Sequence, residues 1–393
     1  MSIADRWLLP DGIEELLPTQ AGRAERLRRQ LVDLYATWGY QLVMPPLVEF
    51  TESLLINGHH DLDLQTCRLT DQLSGRLMGI RADITPQTAR IDAHCLKHEG
   101  VTRLCYAGSV LHARPKTALA SRSPIQMGCE LYGATGTEAD SEVVSLMLAT
   151  VQAVGMADIT LDLGHVRICR ELALFAGLNA EQQEVLFDIL QRKATADLQH
   201  FVQTYVMDAR AAALLLALPA LSGGVEVLVK ARAAFAAAPA AVHAAIIELE
   251  QLAACLVQRS PDVNVYIDLA ELRGYHYHTG AVFSVYVSGA GEAIANGGRY
   301  DDFGAAFGRA RPASGFSFDL KHLLDLSDDD PVEKMSIWVV LDGSAAQWRA
   351  IQALRTEGEV VIAAGAAEKQ PADCLRELVR CDDQYTVRVL SAG

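Results

Sequence analysis

From residue 165 to about residue 260 the chain is Ala- and Leu-rich and helical in pattern almost throughout, broken only at Gly177, Pro219, Gly223-Gly224 and Pro239. This block divides sequence of a different kind. Before it, 102–110 and 125–132 read as an antiparallel strand pair joined by a polar loop, 116–124. Residues 68–81 alternate about Asp71 and Gly75 as a hairpin does, and 158–163 is a further strand. After it come strands at 264–269 and 281–287 and a Gly-rich return, Asn296-Gly-Gly-Arg-Tyr-Asp. Strands in runs and helices in separate blocks define an α+β chain with an antiparallel main sheet and an inserted helical domain.

The flanks are consistent with that reading. Residues 20–39 form an amphipathic helix with Ala24, Leu27, Leu31, Leu34 and Trp38 at helical spacing. Arg23, Arg26, Arg28 and Arg29 lie around them as a solvated face or subunit contact, and Gly39 stops the helix before a strand, 40–44, that meets Pro45-Pro46. Val143, Met147, Val151 and Val154 mark one face of a helix over 139–155. The acidic run 325–333, with Pro331, reads as a linker. The tail gives strand 337–341, helix 345–356, strand 360–363, a helix, then strand 386–390, a small α/β unit. The expected domains are a core over 1–325 interrupted by a helical insertion at 165–260, a linker at 326–335, and a C-terminal domain at 336–393.

Composition narrows the function classes. Of 393 residues, 34 are Lys or Arg and 49 are Asp or Glu, a net charge of −15. Nucleic-acid binding rests on cations neutralising phosphates, so this balance argues against it. The eight cysteines show no CxxC pair and no metal-ligand spacing, so they read as free thiols in a reducing compartment, with no metal and no disulfide framework. The longest uncharged stretch, 211–225, is too short for a bilayer and contains Pro219. No export signal is visible at the N-terminus. A cytoplasmic protein without a membrane partner is expected.

Four polar-rich segments lie beside strands: Arg81-Ala-Asp-Ile-Thr-Pro-Gln-Thr, Gln126-Met-Gly-Cys-Glu, Arg273-Gly-Tyr-His-Tyr-His-Thr-Gly and Gly297-Gly-Arg-Tyr-Asp. Carboxylate and amide oxygens from Asp83, Thr85, Gln126 and Glu130 would accept the N–H groups of an ammonium or imidazole. Arg273 would supply a fork for a carboxylate. Together these groups suit an amino-acid zwitterion with a polar ring.

The order and spacing of these segments resemble the catalytic core of histidyl-tRNA synthetase, a class II synthetase, over about residues 5–325. Leu9-Pro-Asp-Gly-Ile-Glu-Glu-Leu-Leu-Pro, Trp38-Gly-Tyr and Pro45-Pro-Leu-Val-Glu look like its motif 1, with Pro46 at the dimer-interface proline. Residues 81–88 are similar to its "LRPEgT" segment, with Asp83 in place of Glu. Residues 106–133 resemble motif 2, 273–280 the histidine loop "RGLDYYtg", 296–301 the "GGRYD" segment, and 315–323 motif 3. The resemblance implies a histidine-binding set of Asp83, Thr85, Gln126, Glu130, Arg273, Tyr277 and His278.

Departures from the pattern carry as much weight. The motif 2 arginine that holds the ATP α-phosphate is replaced by His112 or, aligned from Arg114-Pro115, by Leu111. The motif 3 arginine is His322, and Lys321 stands where the enzyme has Glu. Losing a preorganised positive group at such a site costs on the order of several kcal/mol of transition-state stabilisation. The tail, about sixty residues, is too short for the enzyme's full anticodon-binding domain.

An amino-acid pocket partly kept, ATP arginines gone and a short tail resemble the ATP phosphoribosyltransferase regulatory subunit family. The resemblance implies a chain without catalytic residues or cofactor, forming a homodimer within a hetero-oligomer with a short-form catalytic subunit. It implies activation of that subunit and feedback inhibition by histidine in the first step of histidine biosynthesis. Competing readings are an active histidyl-tRNA synthetase, a paralogue transferring an amino acid to another acceptor, and an oligomerisation scaffold that senses nothing.

Overall fold

The computed structural model describes residues 7–55, 60–115, 120–327, 335–371, 374–382 and 384–390. The chain divides into two compact units, Met1–Asp328 and Asp329–Gly393. Of the acidic linker expected at 326–335, residues 328–334 lie outside the described residues.

The first helix, Pro18–Thr37, starts with proline in its first turn and buries Ala24, Leu27, Leu31 and Tyr35, a three-to-four spacing that makes one apolar stripe. Leu34 and Trp38 pack at its margin. Gly39, at φ +81°, takes a left-handed backbone that ends the helix. Three of its arginines are bonded: Arg28 and Arg29 to Glu25 within the helix, and Arg23 to Ser327.

The main sheet has nine strands, ordered Gln41–Leu42, Thr102–Ser109, Ile125–Tyr132, Ala313–Asp319, Ala295–Arg299, Ala281–Tyr286, Thr160–His165, Asn264–Asp268 and Ser222–Gly223. Its centre is antiparallel. Two pairings near the margins are parallel, Gln41–Leu42 with Thr102–Ser109 and Thr160–His165 with Asn264–Asp268. Parallel neighbours need a long crossover, and the helical block supplies the second one. That block comprises Val166–Phe175, Ala180–Gln191, Thr195–Tyr205, Ala209–Ala217, Val227–Ala234 and Ala240–Arg259. Within it Ser222–Gly223 departs from the all-helical reading and pairs with Asp268 and Ile267 at the sheet edge. Side chains of the block and of the sheet, Leu215, Leu249, Leu161 and Phe283 among them, share one core cluster. Ala240–Arg259 is long and apolar enough to cross a membrane by length and composition. It instead buries Val242, Ile246, Leu249, Leu252 and Leu256 in this core.

The smaller unit has a four-stranded sheet, ordered Val361–Ala364, Ile337–Val340, Arg376–Cys381, Gln384–Val389, with the helix Ala345–Thr356. The helix expected between 363 and 386 is corrected here, because 376–381 is a strand. Its Leu378 is buried against Ile337, Val339, Ile351 and Val361, while the charged Arg376, Glu377 and Arg380 are left at the surface or half-buried. Asp382, at φ +52°, turns the chain into an antiparallel hairpin.

Candidate functional site

Side chains alternate faces along a strand, so the register of the central sheet sorts its residues. Cys129, Met127, Phe316, Phe283 and Leu163 point into the helix-covered core. The opposite face carries the polar groups in rows. Glu130 lies opposite Gly315, which lies opposite Gly298. The next row runs Gly128, Ser317, Asn296, Ser284, Asp162, and a third pairs Gln126 with Asp319 and Gly108.

Glu130 is 1% exposed. Its carboxylate accepts from Thr85 Oγ1 at 3.0 Å, from Tyr106 OH at 3.1 Å and from Tyr300 OH. Burial pushes its carboxyl up to about 8, against the pull of the Tyr300 and Thr85 hydroxyls. Gly315 makes room for it, since a Cβ there would overlap Glu130 Oε2. Gln126 donates from Nε2 to Asp83 Oδ1 at 2.7 Å and accepts the Ile84 N–H at 2.8 Å. Asp83 Oδ1 also accepts the Thr85 N–H, at 3.0 Å. Asp83, Thr85, Gln126 and Glu130 therefore form one hydrogen-bonded group.

Tyr277 joins them from the loop after Leu272: its ring lies 4.7 Å from that of Tyr300, and its hydroxyl is buried and feels the charges of Glu130 and Asp83. His278 packs on Gly298, where a Cβ would come 2.7 Å from its Nδ1. Burial lowers its imidazole to about 4, so the ring is neutral. Arg273 stands apart from this group, one row along the same face. It donates to Ser284 Oγ at 3.0 Å, Asn296 Oδ1 at 2.8 Å and Tyr286 OH at 2.9 Å. Sequence reasoning passed over Tyr106, Ser284 and Asp162 and assigned no role to Tyr300 and Asn296 within the Gly-rich segment; what brings them to this face is pairing between strands far apart in the chain.

The phosphate end is built differently. His112 is buried, its Nε2 3.1 Å from the carbonyl of Ala82, and its own carbonyl accepts from Arg122 at 3.0 Å. The other end of Arg122 holds the carbonyl of Asp11 at 3.0 Å. Lys321 is buried and directs Nζ to Glu14, 3.1 Å away, and to Ser123. These cations are committed to holding the N-terminal segment and the neighbouring loop. No free guanidinium comes from either position that the resemblance assigns to ATP.

Comparison with known proteins identifies the fold and the family. The histidyl-tRNA synthetase family profile matches residues 12–323. A regulatory-subunit/histidyl-tRNA synthetase structure from Bacillus halodurans C superposes with a TM-score of 0.81 at 25% identity, covering 93% of this chain and 95% of that one. Histidyl-tRNA synthetase from Nostoc sp. PCC 7120 shares the fold at a TM-score of 0.78 and 20% identity, over 95% and 91% of the two chains. Fold and site define a histidyl-tRNA synthetase-like protein of the class II type.

Residues 334–388 match the ATP phosphoribosyltransferase subunit HisZ C-terminal domain. ATP phosphoribosyltransferase regulatory subunits are similar along their whole length. That of Azotobacter vinelandii is 52% identical over 98% of this chain and 99% of its own, and that of Saccharophagus degradans 49% identical over 98% and 99%. The chain belongs to the ATP phosphoribosyltransferase regulatory subunit family and is a non-catalytic component of histidine biosynthesis.

Proposed function

We propose that this chain activates a short-form ATP phosphoribosyltransferase catalytic subunit and transmits feedback inhibition by histidine. The observation supporting this is the asymmetry of the site. The amino-acid end keeps a bonded set of acceptors, Asp83, Gln126 and Glu130, with Tyr277 and His278 beside them and Arg273 on the same face. The phosphate end has His112 (or Leu111) and His322 where an adenylating enzyme needs free arginines, and the neighbouring Lys321 is bound to Glu14. Histidine would place its ammonium or imidazole against the acceptors and its carboxylate toward Arg273, which would exchange its bond to Asn296 or Ser284 for it. The working assembly is a homodimer within a hetero-oligomer, in the cytoplasm.

Two assays on the full chain test this. Mixed with a short-form catalytic subunit, it should raise the rate of ATP phosphoribosyl transfer and make that rate fall with added histidine. It should support no histidine-dependent ATP–pyrophosphate exchange. Measurable exchange would restore the synthetase reading, and activation without histidine sensitivity would reduce the chain to a scaffold.

A further inference from the structure

The loop after Leu272 turns tightly at Gly274, φ +64°, whose carbonyl accepts the N–H groups of Tyr277 and His278 at 2.8 and 3.0 Å. The turn sends its residues two ways. Tyr277 and His278 go to the amino-acid end, against Tyr300 and Gly298. Tyr275 and His276 go to the helical insertion. Beyond them Thr279 donates its N–H to the Arg299 carbonyl at 2.7 Å, and the Arg299 side chain is held behind the sheet by Asp140 and Asp301. The sheet thus fixes the far end of the loop, and the insertion fixes the near half.

The helix Ala180–Gln191 supplies that second anchorage. Glu184, Phe187 and Gln191 lie three and four residues apart, on one helical face. Glu184 Oε2 accepts from the Tyr275 hydroxyl at 2.5 Å and lies 3.3 Å from His276 Nε2. The Phe187 ring meets that of Tyr275 edge-on, centroids 4.8 Å apart, and Gln191 donates to the Leu272 carbonyl at 3.0 Å. Arg170, from the helix Val166–Phe175, holds the Tyr275 carbonyl. Tyr275 is buried while Glu184 and His276 are exposed, so the hydroxyl bond carries the tie and the surface pair adds little. Departures of this loop from the synthetase pattern "RGLDYYtg" fall at the same place, with Tyr275 for Leu and His276 for Asp. A leucine has no hydroxyl for Glu184, and an aspartate beside it would set like charges together. The tie belongs to the loop as this chain has it.

We propose that Glu184 is a positioning residue for the amino-acid end, an inference that rests on histidine binding there. By holding Tyr275 it fixes the turn that carries Tyr277 and His278, and the helical insertion thereby sets how tightly histidine is held. A shift of Ala180–Gln191 against the sheet would carry the loop with it.

The test uses the full chain assembled with a short-form catalytic subunit. It reads two quantities, the rate without histidine and the histidine concentration that halves that rate. Glu184→Ala, at an exposed position, should leave the first unchanged and raise the second by roughly fivefold or more. Glu184→Gln keeps an acceptor for the Tyr275 hydroxyl and should stay within about twofold of wild type. Tyr275→Phe keeps the ring contact with Phe187 and loses the hydroxyl. It should match Glu184→Ala, and the double variant should be no less sensitive than either alone. Wild-type sensitivity in Glu184→Ala, an equal loss in Glu184→Gln, or additive losses in the double variant would overturn the proposal. Arg273→Ala is the control for histidine binding itself. If it is desensitised while Glu184→Ala is not, the tie alone is refuted. If it keeps wild-type sensitivity, histidine sensing at this end is refuted and the role of Glu184 with it. Should Tyr275→Phe not fold by circular dichroism, the two substitutions at Glu184 decide.

Discussion

Glu130 has three hydroxyls for partners, from Thr85, Tyr106 and Tyr300, and burial outweighs them, lifting its carboxyl to about 8. Asp83 adds to the rise, and the rings of Tyr132, Tyr277 and Tyr300 close around it. A carboxyl whose folded value lies above its unfolded one contributes stability that is complete below the unfolded value near 4.3. That contribution is lost as pH rises toward 8. Glu130→Gln cannot titrate. Its melting temperature should therefore gain on wild type between pH 5 and pH 8.5, and a constant difference across that range would contradict the assignment. An ammonium bound beside Glu130 would draw the proton off, so histidine affinity should rise with pH between 6 and 8. Gly315 is the other half of this arrangement. Gly315→Ala should destabilise by about 1–3 kcal/mol in denaturant unfolding, as overpacking does. Combined with Glu130→Ala the loss should be less than additive, because the two changes meet at one contact. Additive costs would mean that the two residues do not crowd each other.

At the scale of elements, the segment Gly297-Gly-Arg-Tyr-Asp is explained by strand alternation: glycine admits His278, arginine and aspartate serve the rear, and tyrosine serves Glu130. The sequence showed that this segment, and the segments around Asp83 and Gln126, belonged beside strands. It did not show which residues share a face, because register depends on pairings between segments far apart in the chain. Arg273 was grouped with Asp83 for that reason, and the structure sets it one row away. The strand 376–381 was missed for a related cause. Arg376-Glu-Leu-Val-Arg carries too few apolar positions to reveal period two until Leu378 meets Ile337 and Val361. Motif 1 carries its own prediction. Leu42, Met44 and Leu47 flank Pro45-Pro46 as exposed apolar side chains, and burying them in a symmetric interface fits the proposed homodimer. Light scattering at micromolar concentration should give twice the chain mass; a monomer would remove this element of the account. Elsewhere Arg311 and Asp92, both buried and paired at 2.8 Å, tie Ile91–Leu96 to the strand that begins at Ala313. Arg311→Met should cost about 3–5 kcal/mol, since Asp92 is left buried and unpaired. A loss under 1 kcal/mol would show that water reaches it.

For the whole molecule, the family places the chain in the ATP phosphoribosyltransferase assembly, and its unchanged fold must be read through its altered chemistry. The synthetase scaffold persists from residue 12 to residue 323, while the ATP arginines are replaced by His112 (or Leu111) and His322 and the nearby Arg122 and Lys321 hold the N-terminal segment and its neighbouring loop. The proposed histidine feedback requires that histidine bind differently to the active and inactive assemblies, with a coupling of about 1–3 kcal/mol, or roughly 5- to 150-fold in affinity. The most direct test is the histidine concentration that halves the rate of the assembled complex, relative to the rate of the same complex without histidine. It is to be compared for wild-type, Arg273→Ala and Gln126→Ala regulatory subunits. The account predicts that both variants need at least about tenfold more histidine. Wild-type sensitivity in both would show that the amino-acid end of this site does not sense histidine.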